Sequence, residues 1–232
     1  MLGVYIFYIY DSLMLLNINE LVITRSRNNW SYKFPFLEYQ LLRKYPLLPN
    51  LLLPGTAIFK TYWPGPSTKS SNVKEVNIFI KKLFPIQLIV YALLPLQLIF
   101  LPMIVYYYGS GVKLLIIFAT IYFTILGALI YIFCNRDNLY ISLAKFSSLA
   151  FESLACPPFA LNLVRKVSIN YPELNDPLII AKKVFDTASY KTFCGDLACV
   201  VKNHMSFIDS NSSHCNDLNK YLDMINKEHY IE

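Results

Sequence analysis

Glycine is scarce, with seven in 232 residues, and none stands in a phosphate-cradling loop or a nucleophile elbow. Nucleotide binding and elbow-type serine chemistry therefore have no footing in the chain. Charge is scarce as well: 16% of residues are charged, against about 25% in a soluble domain. Between Leu83 and Cys134 the only charged residue is Lys113. The apolar runs on either side of it contain no Asp, Glu, Lys, Arg or His, so a proton or ion relay has no carrier there. No basic helix face or nucleic-acid motif is present, and nucleic acid is not an expected partner. The first residues lack the basic start and small-residue cleavage site of a signal peptide. Five cysteines make an odd count. On a cytoplasmic tail they stay reduced; on the other side of a membrane Cys194, Cys199 and Cys215 become disulfide candidates.

What the chain has is apolar mass, 55% of residues, gathered in two long runs. Leu83 to Tyr108 and Leu114 to Cys134 are both uncharged, and each exceeds the roughly 20 helical residues that cross a hydrocarbon core of about 30 Å. Gly109 to Lys113 between them makes a tight turn, so the two helices are antiparallel neighbours. Tyr106, Tyr107 and Tyr108 close the first run, where tyrosine sits at headgroup level. Pro95 and Pro102 lie inside it and predict kinks. Gln87 and Gln97 are its polar members, ten positions apart and on different helical stripes. Thr120, Thr124 and Ala128 recur every four residues in the second run. That spacing predicts a small-residue stripe for helix packing, against the first span or against a partner helix. The many Tyr, Phe, Ile, Asn and Lys residues have AT-rich codons and are read as base composition.

Charge sets the expected orientation. Residues 1–82 carry ten basic and four acidic residues, and residues 135–232 carry ten basic and eleven acidic ones. Lys69, Lys74, Lys81, Lys82, Arg136 and Lys145 flank the hairpin on the tail side, whereas the turn has Lys113 alone. This bias places both tails in the cytoplasm, at the inner face of what is expected to be a bacterial inner membrane. Lys81, Lys82 and Arg136 are the expected contacts to anionic lipid headgroups.

The expected architecture is a mainly α membrane protein. A cytoplasmic tail (1–82) precedes a two-span transmembrane hairpin (83–134, with spans 83–108 and 114–134) and a cytoplasmic helical tail (135–232), and both tails pack into one soluble module. In the first tail, residues up to Thr24 read as strand-like or interfacial. Pro35 to Lys44 reads as a short helix, Pro46 to Gly55 as an apolar stretch that proline keeps from being helical, and Trp63 to Asn72 as a linker. A helix from Val73 runs into the first span. In the second tail, Asn138 to Ala155 reads as an amphipathic helix stopped by Cys156-Pro157-Pro158, followed by a short helix over Phe159–Val167. Asp176-Pro177 caps a helix that runs to about Tyr190. Gly195 ends or bends the next segment, Cys199 to Phe207 is helical, Asp209 to Ser213 is a loop, and Asn216 to Lys227 is a last helix.

The best chemical candidate is a metal set of Cys194, Cys199, His204, His214 and Cys215, residue types that zinc takes. Its spacing is loose, and small buried thiols with surface histidines are the plainer reading. Asp209-x-Asn211-x-Ser213 resembles the start of a calcium loop, but His214 and Lys220 stand where glycine and glutamate are required. Ser206, Asp209, Ser210 and His214 make no triad without an elbow. No cofactor is expected. The leading functional expectation is a non-enzymatic adaptor, accessory subunit or immunity-type protein that works through a protein partner. The alternatives are a membrane-bound enzyme on a lipid-like substrate, or a subunit of a transport assembly with the prolines and glutamines of the first span along its pathway.

Overall fold

The structure is a computed structural model, and it describes residues 15–17, 19–26, 29–34, 45–46, 55–61, 73–109, 111–169, 176–208 and 212–230. The expected Pro35–Lys44 helix and Trp63–Asn72 linker lie outside these residues, as does Asp209. The strands are β1 (Leu15–Leu16), β2 (Glu20–Ser26), β3 (Asn29–Lys33), β4 (Tyr45–Pro46) and β5 (Thr56–Lys60). The helices are α1 (Val73–Pro95), α2 (Leu101–Tyr108), α3 (Val112–Cys134), α4 (Leu143–Ala155), α5 (Leu163–Ile169), α6 (Pro177–Val184), α7 (Thr187–Met205) and α8 (Ser213–Tyr230). A π-helical turn, Leu96–Phe100, joins α1 to α2, and a 3-10 segment, Pro157–Asn162, joins α4 to α5. The described residues are mostly helical. They fall into two compact units, the first with the described residues among 48–57 and 78–171, the second with those among 15–47, 58–77 and 172–232.

The first unit holds the apolar runs. Val73–Tyr108 and Val112–Cys134 are each long and apolar enough to cross a membrane. Proline explains why the first is not one uniform α-helix. Pro95 ends α1, and Pro102 stands at the start of α2. Each lacks an N–H, and the ladder re-registers as the π turn between them, where the Leu101 N–H donates to the Leu96 carbonyl. Gly109 closes α2 at φ 63°, its N–H on the Val105 carbonyl. That left-handed conformation is one glycine takes without a Cβ penalty. At the other end the hairpin is pinned by side chains. Lys82 Nζ donates to Asn135 Oδ1 at 2.9 Å, and Tyr131 OH donates to the Lys82 carbonyl at 3.1 Å. Leu83, Ile86, Val90 and Leu93 form the buried stripe of α1, and Ile117, Ile121, Ile125, Ala128 and Ile132 that of α3.

Residues 135–140 form turns rather than the start of the expected helix, with Tyr140 at φ 55°. Helix α4 begins only at Leu143, because the Ser142 hydroxyl accepts from the Lys145 N–H and caps it. Leu139, inside the span expected to be helical, is buried from within the turn instead.

In the second unit β2 pairs antiparallel with β3, from Val22 opposite Lys33 to Ser26 opposite Asn29. The sheet order is β3-β2-β5, and β1 pairs separately with β4. Leu21, Val22 and Ile23 are buried together with Ile58 and Phe59. Asp176 caps α6 as expected, its Oδ1 accepting from the Leu178 N–H at 2.8 Å. That helix stops at Val184, short of Tyr190. Asp186 supplies a second cap, accepting from the Ser189 N–H, and α7 starts there. Gly195 does not end α7, which continues through it to Met205. A single helical glycine costs only about 1 kcal/mol. The buried residues Tyr190, Phe193, Cys194, Leu197, Val200 and Val201 anchor α7 on both sides of it.

Candidate functional site

Two regions compete for the role of functional site, one in each unit. In the first unit it is the outer surface of the helix pair. Tyr91, Ile99, Tyr106, Leu115, Ile116, Phe123 and Ile130 are all exposed, with Tyr106 at 83% and Phe123 at 74%. A soluble monomer rarely presents a contiguous apolar patch beyond a few hundred Å². Here such side chains recur along both helices, on the faces opposite the buried stripes.

Within the chain the buried stripe of α3 is isoleucine, so of the two packing roles expected for Thr120, Thr124 and Ala128 the one against the first span is filled mostly by other residues. Thr120 is exposed, Thr124 half-buried, and only Ala128 is buried. Both hydroxyls are spent on their own helix, Thr120 Oγ1 on the Ile116 carbonyl at 2.8 Å and Thr124 Oγ1 on the Thr120 carbonyl at 2.7 Å. Back-bonding of this kind satisfies each hydroxyl without an interhelical hydrogen bond.

The two glutamines of the first run are both buried, on different sides. Gln87 Nε2 donates to the Thr56 carbonyl at 2.6 Å and to Thr56 Oγ1 at 3.0 Å, and its Oε1 accepts from the Gly55 N–H at 3.3 Å. Gln97, on the π turn, donates through Nε2 to the Pro157 carbonyl at 3.0 Å. Neither partner was visible in the sequence, where polar residues in an apolar run signal only that some partner exists.

Of the expected headgroup contacts, Lys81 is exposed. Lys82 is half-buried and committed to Asn135. Arg136 lies 3.5 Å from Asp137 and 5.9 Å from the centre of the Phe133 ring. Lys113 stacks on Tyr108 at 3.4 Å from the ring centre.

The second unit contains the Cys/His set and a buried polar pair. Cys194 and Cys215 are buried, Cys199 is exposed, and all are free thiols. His204 and His214 are brought edge to face, ring centres 5.7 Å apart. Among the described residues no three His, Cys, Asp or Glu side chains gather as a metal site. Burial lowers the pKa of His204, and the neighbouring His214 adds to the effect. Burial raises that of the Cys194 thiol, which holds it in the unreactive protonated form. Tyr221 is fully buried, and its hydroxyl donates to both carboxylate oxygens of buried Asp176, at 2.8 and 3.1 Å. Burial, then the Asp176 charge, holds this phenol well above its ordinary range.

β3 packs on α7 through an aromatic cluster. Tyr32 meets Phe193 edge to face at 5.0 Å, Phe34 stacks on Phe193 at 5.5 Å, and Phe185 meets Tyr32 at 5.5 Å. Tyr32 OH donates to Asp196 Oδ2 at 2.9 Å. Burial, then this bond, raises the Tyr32 pKa. Lys182 Nζ, on α6, lies 2.5 Å from Glu228 Oε2, on α8, beside a cleft of about 200 Å³ lined by Leu178, Tyr190 and Met224. Chemically these groups brace helices: Asp176 with Tyr221, Tyr32 with Asp196 and Lys182 with Glu228 each join two side chains of the same unit. The chain matches no family model, no curated protein and no solved structure.

Proposed function

We propose that this chain is an integral membrane protein, anchored by the hairpin 83–134, with both tails on the cytoplasmic side. The observation that carries this reading is the exposed apolar surface along residues 83–134, where the only charge is Lys113. Solvating such a surface in water costs about 25 cal/mol for each Å² of apolar area, and acyl chains remove that cost. Lys81 and Arg136 on the tail side, against Lys113 at the turn, favour the tails-in orientation. Strands β1 to β4 and helices α6 to α8 share one compact unit, which this reading takes as the soluble module.

The activity proposed is non-enzymatic: an adaptor, accessory subunit or immunity-type protector that acts through contacts with a protein partner. Its support is the use of the tail's titratable groups as braces, in Asp176–Tyr221, Tyr32–Asp196 and Lys182–Glu228. Cross-linking in native membranes followed by mild-detergent purification tests it. A reproducible stoichiometric partner is the expected result, and a protein recovered alone under all such conditions refutes it. Recovery in the supernatant after high-speed centrifugation without detergent refutes the anchor itself.

A further inference from the structure

The segment after the hairpin does not leave it. Two contacts fix where α4 runs within the first unit. Near its start, Phe146 packs on Phe133 at 5.2 Å between ring centres, close to the pinned end where Lys82 holds Asn135. Just past its other end, the Pro157 carbonyl accepts from Gln97. Gln97 lies fifteen residues along from Lys82, about 22 Å at 1.5 Å per residue, near the middle of the run 83–108. Ser142 to Cys156 is fourteen residues, about 21 Å. The two lengths agree, so α4 travels beside the hairpin from its base to the depth of Gln97. α5 then turns back, since Lys166 Nζ reaches Glu152 Oε2 at 2.5 Å, one and a half turns up α4 from Pro157.

We propose that residues 143–169 form a re-entrant helix–corner–helix, which enters the bilayer beside the hairpin from the tail side and turns at mid-depth. Its outward face lies against acyl chains. This rests on the hairpin being in the membrane, and it revises the expectation that residues 135–232 are wholly cytoplasmic.

The corner is built for such a place. Non-helical backbone at membrane depth survives only where its polar groups are satisfied within protein. Pro157 and Pro158 have no N–H to satisfy, the Cys156 N–H donates to the Glu152 carbonyl, the Phe159 N–H donates to the Cys156 carbonyl, and Gln97 takes the carbonyl of Pro157. From Leu149 to Ile169 only Phe151, at 76%, and Ala155 are exposed, and both are apolar. On the outward face of α4 the Ser147 hydroxyl is bonded to the Ala144 carbonyl and that of Ser148 to Glu152, so neither needs water. Lys145 is in the first turn, within snorkelling reach of the interface. Three charges go deeper, Glu152, Arg165 and Lys166. All are half-buried; Glu152 and Lys166 pair, and Lys166 also lies 4.9 Å from the Phe159 ring centre. A carboxylate left alone there would carry a cost of about 2.5–3.5 kcal/mol; pairing lowers it.

The test uses the full chain with its five cysteines replaced by serine, reconstituted in phosphatidylcholine–phosphatidylglycerol vesicles. Single cysteines then carry an environment-sensitive fluorophore: Phe151→Cys and Ala155→Cys in the segment, Leu126→Cys in the hairpin at matching depth, and Lys191→Cys in the tail. Acyl-brominated lipid is expected to quench positions 151 and 155 as strongly as 126, and position 191 hardly at all. Quenching of 126 alone, with 151 and 155 behaving like 191, overturns the re-entrant segment and leaves the hairpin standing. Failure to quench 126 removes both. Using two exposed sites guards against a single variant that misfolds.

Discussion

Replacing Tyr221 by Phe isolates one buried interaction and has a calculable cost. The ring stays and no cavity opens, since only an oxygen is removed. What is lost is the hydroxyl that donates to both oxygens of Asp176, with each residue at most 1% exposed. A hydrogen bond to a charged group is worth about 1.5–3 kcal/mol, and a buried carboxylate deprived of a donor sits at the upper end. Asp176 keeps the Leu178 N–H, which limits the damage, so Y221F is expected to cost about 2–3 kcal/mol. Asp176→Ala removes the cap, about 1 kcal/mol, and deprives the phenol hydroxyl of this acceptor, a further cost of about 1–3 kcal/mol. The double variant is expected to cost less than the two singles together by at least about 1 kcal/mol, because the second change removes a group that has already lost its partner. Denaturant unfolding of the full chain in mild micelles measures this, with Trp63→Phe as background so that Trp30 on β3 reports alone. A Y221F cost below about 0.5 kcal/mol, or strict additivity, refutes the claim that this pair braces α6 against α8.

The other contacts set expectations of their own. Gln87→Leu leaves the Thr56 carbonyl and the Gly55 N–H without the partner they have, and is expected to cost about 2 kcal/mol in micelle unfolding, whereas a neutral result means water replaces the amide. Ile121→Ala and Ile125→Ala are expected to destabilise the hairpin by about 2–4 kcal/mol, and Thr120→Val by almost nothing; the reverse ranking would restore the threonine stripe as the packing face. The phenols of Tyr32, Tyr190 and Tyr221 are all raised by burial first. The native state therefore holds these protons more tightly than the unfolded chain, and the stability they contribute is complete below about pH 10 and declines above it. Ultraviolet titration should show these tyrosinates appearing only as the fold is lost. His204 has the opposite sign: its folded pKa is lowered, so its share of stability is present above about pH 6.5 and lost on acidification. His204→Gln should flatten the slope of unfolding midpoint against pH between neutral and mildly acidic buffer, and an unchanged slope assigns that dependence to other groups.

Local rules decide much of this fold. Uncharged runs of helical length and the Asp-Pro cap at Asp176 are set by nearest neighbours, and each appears where the chain places it, while the connection between the runs is shorter than expected because α3 already begins at Val112. The start of α4 is local too, since the Ser142 cap is a two-atom interaction within one turn. Asn138 to Ile141 carry the same apolar spacing, which hid that boundary. Periodicity alone could not tell which stripe of α3 is buried. Thr120 and Thr124 sit at a spacing suited to close approach, but their hydroxyls have a carbonyl one turn away. The bulkier isoleucines beside them have more surface to gain from burial.

What only the tertiary structure decided are the pairings across long stretches of chain. Gln97 with Pro157, Tyr32 with Asp196 and Asp176 with Tyr221 join positions 60, 164 and 45 residues apart. A sequence shows that a buried polar group needs a partner, because leaving it unmade costs more than the bond returns. Which partner it finds depends on how whole helices stack. That is settled by the summed packing of many side chains, and no spacing along the chain encodes it.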